Sequence, residues 1–257
     1  MPEFCKIERD SHVTTITIDR PDVMNAIHPP ASWELAKAFD AFAADPDAWV
    51  AILTGAGDRA FSAGNDLKFQ AAGGKLEWPP SGFAGITARW DNAKPVIAAV
   101  NGLALGGGFE IVLACDIAIA SEKASFGLPE PRVGLAALAG GLHRLPRQIG
   151  TKAAMGMLLT GRRIDAREAL ALGIVNEVVA PGDVLAAARR WADAICECSP
   201  VSVRTTKRVA LDGLDHASLR EAMDARYPAI AELVKSADFV EGPLAFSQKR
   251  KPNWKGR

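Results

Sequence analysis

Val13 to Ile18 is β-branched and Thr-rich and predicts a strand. Lys6 to Glu8 can pair with it across a turn at Asp10-Ser11, and Arg20-Pro21 ends the hairpin. Ser32 is the expected start of a helix whose Leu35, Phe39 and Phe42 share one face, stopped at Asp45-Pro46-Asp47. Trp49 to Leu53 is a continuous apolar run closed by Gly55-Ala56-Gly57, the pattern of a buried strand. Gln70 to Ser81, rich in Gly, Pro and Ala, reads as a mobile surface segment.

Pro95 to Val100 predicts a second buried strand, and Leu103 to Leu105 a third after a turn at Asn101-Gly102. Gly106-Gly107-Gly108 then leads into a helix over Phe109 to Cys115, followed by a strand at Ile117 to Ala120. Beyond Gly150 helices dominate: Ala166 to Leu172, an Ala-rich helix capped by Asp183, then Val203 to Leu211 and Leu219 to Val234. Ile174 to Val179 is the strand expected among them. Strand, strand, helix thus recurs about three times before an all-helical end. That order predicts an α/β fold of stacked ββα units rather than a doubly wound sheet.

At 257 residues the chain is one large domain or two small ones, long enough to bury a core without metal or disulfide. Thirty Lys plus Arg balance 30 Asp plus Glu, so there is no overall positive field for nucleic acid or membrane surfaces. A local basic cluster, Lys249-Arg250-Lys251 with Lys255 and Arg257, reads by composition as a solvated tail. Four cysteines without a C-x-x-C pair fit a reducing compartment, with Cys115 expected in the core. The first ten residues carry Glu3, Glu8 and Asp10, unlike a signal peptide, and a cytoplasmic location is expected. The most apolar stretch, Pro95 to Ala120, is interrupted by Asn101, Glu110 and Asp116 and makes a poor membrane span.

There is no G-x-S-x-G elbow, Walker A loop or H-E-x-x-H, and the four histidines are scattered. Three segments carry candidate chemistry. In Gly106-Gly107-Gly108-Phe109-Glu110, bare backbone opens a helix whose first N–H groups are unpaired and can stabilise negative charge. Glu110 lies in apolar surroundings that raise a carboxylate's pKa and suit it to acid–base work; a dipole or salt-bridge role is equally open. Glu130, between Pro129 and Pro131, is a second held carboxylate, or an exposed loop acid. Phe61 to Leu67 follows a strand and a turn, and its small residues would admit a ligand to the main chain; a plain turn is the alternative.

Taken in order, these segments resemble the enoyl-CoA hydratase/isomerase family, the crotonases. The resemblance spans nearly the whole chain: Asn25-Ala26, Phe61 to Lys68, Lys94 to Gly102, Gly106 to Glu110, Cys115-Asp116, Phe126 to Glu130, Gly140-Gly141, Thr160-Gly161 and Phe246 to Trp254. It implies a crotonase-like spiral of ββα units, with a core at 1–198 and a helical trimerisation region at 199–257, assembled as a homo-trimer or a dimer of trimers.

It also implies an acyl-CoA thioester substrate, no separate cofactor, no metal, and no nucleic-acid or membrane partner. The backbone N–H groups of Asn65 and Gly107 would form an oxyanion hole, and Glu110 and Glu130 would flank water and the enoyl double bond. Ala63, Asn65, Asp66, Leu67, Lys68 and Gly107 would border CoA, with Phe246 and Lys249 reaching it from the tail. The implied reaction is hydration of a trans-2-enoyl-CoA to a 3-hydroxyacyl-CoA. Alternatives are enoyl-CoA isomerisation, hydration of a branched or aromatic enoyl-CoA, or a non-catalytic RNA-binding homologue. Two departures from the family pattern stand out: Asp22 where Lys is frequent near the CoA phosphates, and Leu135 to Ala139 in place of a Pro-Gly stretch.

Overall fold

The computed structural model describes residues 2–257. Strands β1 (Cys5–Asp10) and β2 (Val13–Ile18) form the expected hairpin, and α1 (Pro29–Ala44) follows. The next turn of chain supplies β3 (Val50–Gly55), β4 (Ala60–Ser62) and α2 (Leu67–Ala71). A third supplies β5 (Val96–Val100), β6 (Leu103–Leu105) and α3 (Gly107–Ala114). A fourth supplies β7 (Ile117–Ser121), β8 (Ser125–Gly127), a 3-10 turn at Glu130–Val133 and α4 (Gly141–Ile149). The ββα repeat therefore occurs once more than the hydrophobic pattern indicates.

From β3 to β8, each repeat contributes one strand to each of two sheets. The large sheet runs β1-β2-β3-β5-β7-β10, parallel from β2 onward, and the small one runs β4-β6-β8-β9. Alternate residues of the large sheet enter different cores. Ala51, Leu53, Val96 and Ala98 join the main core with Leu35, Phe39 and Phe109. Val50, Ile52, Ile97 and Ile119 face Ala187, Ala188 and Ala192. Both faces are covered, which is why these strands read as unbroken apolar runs.

Helix α5 (Thr151–Thr160), β9 (Arg163–Asp165), α6 (Ala166–Ala171) and β10 (Glu177–Val179) close the spiral, and α7 (Val184–Cys196) lies across the large sheet. Four helices follow: α8 (Pro200–Gly213), α9 (Leu219–Asp224), α10 (Pro228–Lys235) and α11 (Ala237–Ser247). Helix α8 is tied back to the spiral by the Lys207 ammonium, 2.8 Å from Asp116 and 2.9 Å from the Lys94 carbonyl. No helix among the described residues is long and apolar enough to cross a membrane.

Several boundaries differ from the sequence reading. Helix α1 starts three residues before Ser32, because Pro29 and Pro30 suit its first turn and the His28 ring accepts the Ala31 N–H. Asp183 precedes α7 without a side-chain cap. The strand over Ile174 to Val179 shrinks to its last three residues, since Ile174 and Val175 are used to finish α6 and enter the core. Leu219 to Val234 is two helices, because Pro228 cannot continue the first and opens the second. Cys115 is half-buried at the end of α3 rather than inside the core. The basic tail folds back: Arg250 pairs with Glu241 at 2.6 Å and the Trp254 indole N–H donates to the Glu197 carbonyl.

Candidate active site

The connections leaving β4, β6 and β8 converge, because those three strands run parallel and release their chains at the same edge. The carboxyl ends of parallel strands are where α/β folds place ligands. Asn65 lies after β4, Gly107 and Glu110 lie after β6, and Glu130 lies after β8; all four line one cavity of about 1950 Å³.

The β4 exit is fixed by buried polar contacts. The Asn25 amide donates to the Ala56 and Ala60 carbonyls, and the Ser62 hydroxyl donates to the Asn25 carbonyl at 2.8 Å. The same hydroxyl oxygen accepts the Gly64 N–H. Gly64 is pressed against the next connection: a β-carbon there would lie 2.8 Å from the Gly107 nitrogen. Ile27 donates to the Gly64 carbonyl and Asp66 donates to the Ile27 carbonyl. Among the described residues, the N–H groups of Asn65 and Gly107 have no acceptor, and Gly107 is the first residue of α3, where the positive end of the helix dipole lies.

Gly106 adopts φ +55°, and a β-carbon on it would lie 3.1 Å from the Glu130 Oε1. Glu110, on the first turn of α3, is 3% exposed. Its Oε1 accepts the Gly141 N–H at 2.8 Å, so the start of α4 holds this carboxylate. Burial pushes the Glu110 pKa up to about 7, and nearby Glu130 adds to that; the Gly141 and Ala139 N–H groups and Arg144 pull the other way. Glu130 is raised mainly by burial, and its Oε2 is buried with no partner among the described residues. Two carboxylates with elevated proton affinity in one cavity are suited to passing a single proton.

Trp78 and Phe83 meet edge to face at 5.0 Å and line the same cavity, with Ile86 and Leu135. Phe83 is set directly over Gly107, where a β-carbon would lie 2.5 Å from the ring. The polar functional groups therefore open onto an aromatic and aliphatic wall. Among the described residues no group of His, Cys, Asp and Glu could hold a metal ion.

A model of the enoyl-CoA hydratase/isomerase family matches residues 8–257. The chain belongs to that family. It is 42% identical to the carnitinyl-CoA dehydratase of Salmonella arizonae, with all of both chains covered. It is similar in structure to an enoyl-CoA hydratase from Mycobacterium marinum, with TM-score 0.93, 39% identity and all of both chains covered. It is also similar to a carnitinyl-CoA hydratase from Mycobacterium avium, with TM-score 0.79, 43% identity and 99% of each chain covered. The expected crotonase-type α/β spiral is thus the fold of this member of the family.

Not every residue expected at the site faces the cavity. Ala63, Asp66, Leu67 and Lys68 are absent from its wall, as are Phe246 and Lys249. The Asp66 carboxylate instead caps α2 through the Phe69 N–H and pairs with Arg20 at 3.0 Å. Leu67 is 46% exposed and Lys68 is exposed beside it, at the outer rim of α2. Phe246 is 87% exposed on the last helix. Trp78, Phe83 and Arg144 were not singled out from sequence, although Gly82 and Gly85 around Phe83 signal a tight turn, with φ +81° and +70°.

Proposed function

We propose that this chain adds water across the double bond of a trans-2-enoyl-CoA thioester, or removes it from the 3-hydroxyacyl-CoA in the reverse direction. The observation that carries the reading is the meeting of a buried carboxylate, a half-buried one and two unpaired N–H groups in one cavity. The thioester oxygen accepts hydrogen bonds from the Asn65 and Gly107 N–H groups, which stabilise enolate charge as it develops. Water lies between Glu110 and Glu130 and attacks the β-carbon. Glu110, oriented by Gly141, and Glu130 both position that water. Glu130 delivers a proton to the α-carbon, and the proton the water loses as its oxygen bonds to the β-carbon returns to the carboxylate pair.

CoA itself enters as part of the substrate, so this chemistry draws on no separate cofactor. Its adenine and pantetheine run along Ala63 and Asn65 to Lys68 at the rim of α2. Residues 199–257 form a trimerisation region packed against a core of 1–198. Leu211, Leu214, Leu219 and Met223, all more than half exposed in one protomer, are covered in a homo-trimer or dimer of trimers. Phe246 and Lys249 then reach the CoA of a neighbouring subunit.

The similarity to carnitinyl-CoA dehydratases favours a second reading, the same removal of water from an acyl group with a quaternary ammonium. Trp78 and Phe83 offer ring surface to such a cation. The test is loss of conjugated-enoyl absorbance with crotonyl-CoA, beside its appearance with carnitinyl-CoA and chromatographic identification of both products. A 3-hydroxyacyl-CoA product from crotonyl-CoA supports hydration. A shifted double bond points to isomerisation, and no reaction with either thioester overturns the proposal.

A further inference from the structure

Arg144 stands in the cavity wall beside the candidate site. Its guanidinium is half-buried, lies 5.1 Å from the Trp90 ring centroid, and donates through Nη2 to the Thr87 carbonyl at 2.8 Å. Among the described residues no carboxylate forms an ion pair with it. Gly140, at φ +108°, makes room for it, since a β-carbon there would overlap Nη1. A cation withdrawn from water needs compensation, and one carbonyl and one ring face supply only part of it.

The remaining compensation lies across the first turn of α4. Arg144 Nη1 lies over Gly140, the residue before the Gly141 N–H that holds Glu110 Oε1. Cation and carboxylate thus flank the same two residues at the start of α4, and the charge of each favours the ionised form of the other. We propose that Arg144 is a positioning residue: from α4 it steadies the Glu110 carboxylate on the Gly141 N–H and, through Thr87 and Trp90, fixes the 82–90 loop to the same helix. This rests on the hydratase reading for its catalytic meaning. The charged and titratable groups facing the pair are Glu130 toward Glu110 and Cys115 toward Arg144; His143, Arg147 and Arg89 line the same cavity.

The test is an isotope-edited infrared titration of the Glu110 carboxyl, assigned with Glu110→Gln, in full-length wild type, Arg144→Gln and Arg144→Lys. Loss of the charge should raise the Glu110 midpoint, and Lys should restore most of it. The acidic limb of the kcat/KM profile should move with it. An unchanged midpoint in folded Arg144→Gln overturns the proposal, even if turnover falls. Should Arg144→Gln fail to fold, Trp90→Leu replaces it: that ring is 76% exposed, and its loss frees the guanidinium toward solvent. Glu110 must titrate higher there too, and an unmoved midpoint rejects the role. The infrared readout needs no turnover, so a wild type inactive on enoyl-CoA would reject the hydratase reading while leaving Arg144 decided.

Discussion

Gly64 lies against the Gly107 N–H so closely that a β-carbon on it would stand 2.8 Å from that nitrogen and 2.6 Å from the Leu105 carbonyl oxygen. Only hydrogen fits between the β4 and β6 exits. The spacing of the Asn65 and Gly107 N–H groups is thus set by a missing side chain. Position 64 also has φ +87°, where an L side chain adds strain of about 1–3 kcal/mol. Gly64→Ala should lower kcat on crotonyl-CoA by about 10²-fold or more through a widened oxyanion hole. Stopped-flow turnover and a thermal midpoint on the same sample check this. Wild-type turnover would show that the two N–H groups do not act as a pair.

Glu110→Gln and Glu130→Gln should each reduce kcat by roughly 10²–10⁴-fold, the usual contribution of a positioned acid or base. Both changes keep the side-chain volume, so circular dichroism should be unaltered. Asn65→Ala is the contrasting case. Its side-chain amide donates to Gln70 at 2.8 Å, while the N–H assigned to the thioester oxygen belongs to the backbone. It should keep turnover within about tenfold, a small fraction of the loss expected for a true donor. A loss as large as that of Glu110→Gln would mean that the amide itself contacts substrate.

The fold was legible where burial writes a pattern over five or more residues. β3, β5 and β7 are continuous apolar runs because both faces of the large sheet are covered. β4, β8 and β9 have three residues each, too few for any periodicity, and unlike the equally short β6 they are not wholly apolar runs set off by an Asn-Gly turn, so the fourth repeat leaves no pattern in the sequence. Glu110 stood out as a carboxylate in an apolar helix, and the structure buries it. Gly140-Gly141 belongs to the family resemblance, but that Gly141 holds Glu110 is not legible, because a backbone donor carries no side-chain signature and lies 31 residues away. Arg144 was equally silent: its environment depends on Thr87 and Trp90, which only the tertiary fold brings to α4.

Asp66 separates a structural role from a binding role. Burial alone would raise its pKa, but the Phe69 N–H and the Arg20 guanidinium outweigh that and leave it lowered. The carboxylate is committed to capping α2 and pairing with Arg20, whose guanidinium also donates to the Ala26 carbonyl. Asp66→Ala should therefore cost about 1–2 kcal/mol of stability through the lost cap and the stranded Arg20. Its KM for crotonyl-CoA should change less than about threefold, well under 1 kcal/mol of binding. Urea unfolding beside steady-state kinetics separates the two. A large rise in KM with unchanged stability would mean that the Asp66 side chain, and not the backbone of that segment alone, contacts CoA.

The elevated Glu110 also fixes the sign of a stability change with pH. Its ordinary pKa of 4.5 rises to about 7 in the folded chain, mainly through burial. Between those values the folded state keeps a proton that the unfolded state has released, so folding stability falls as pH rises. The favourable contribution is complete below the unfolded value and gone above the folded one. Glu110→Gln cannot titrate and does not lose it. Relative to wild type, that variant should gain roughly 2 kcal/mol between pH 5.5 and pH 8. Glu130 shifts in the same direction but is present in both proteins, so the difference reports chiefly on Glu110. Urea midpoints at both pH values and one protomer concentration provide the check. A difference that stays flat, or runs in the opposite direction, would mean that burial does not raise the Glu110 pKa and that this carboxylate is fully ionised at neutral pH.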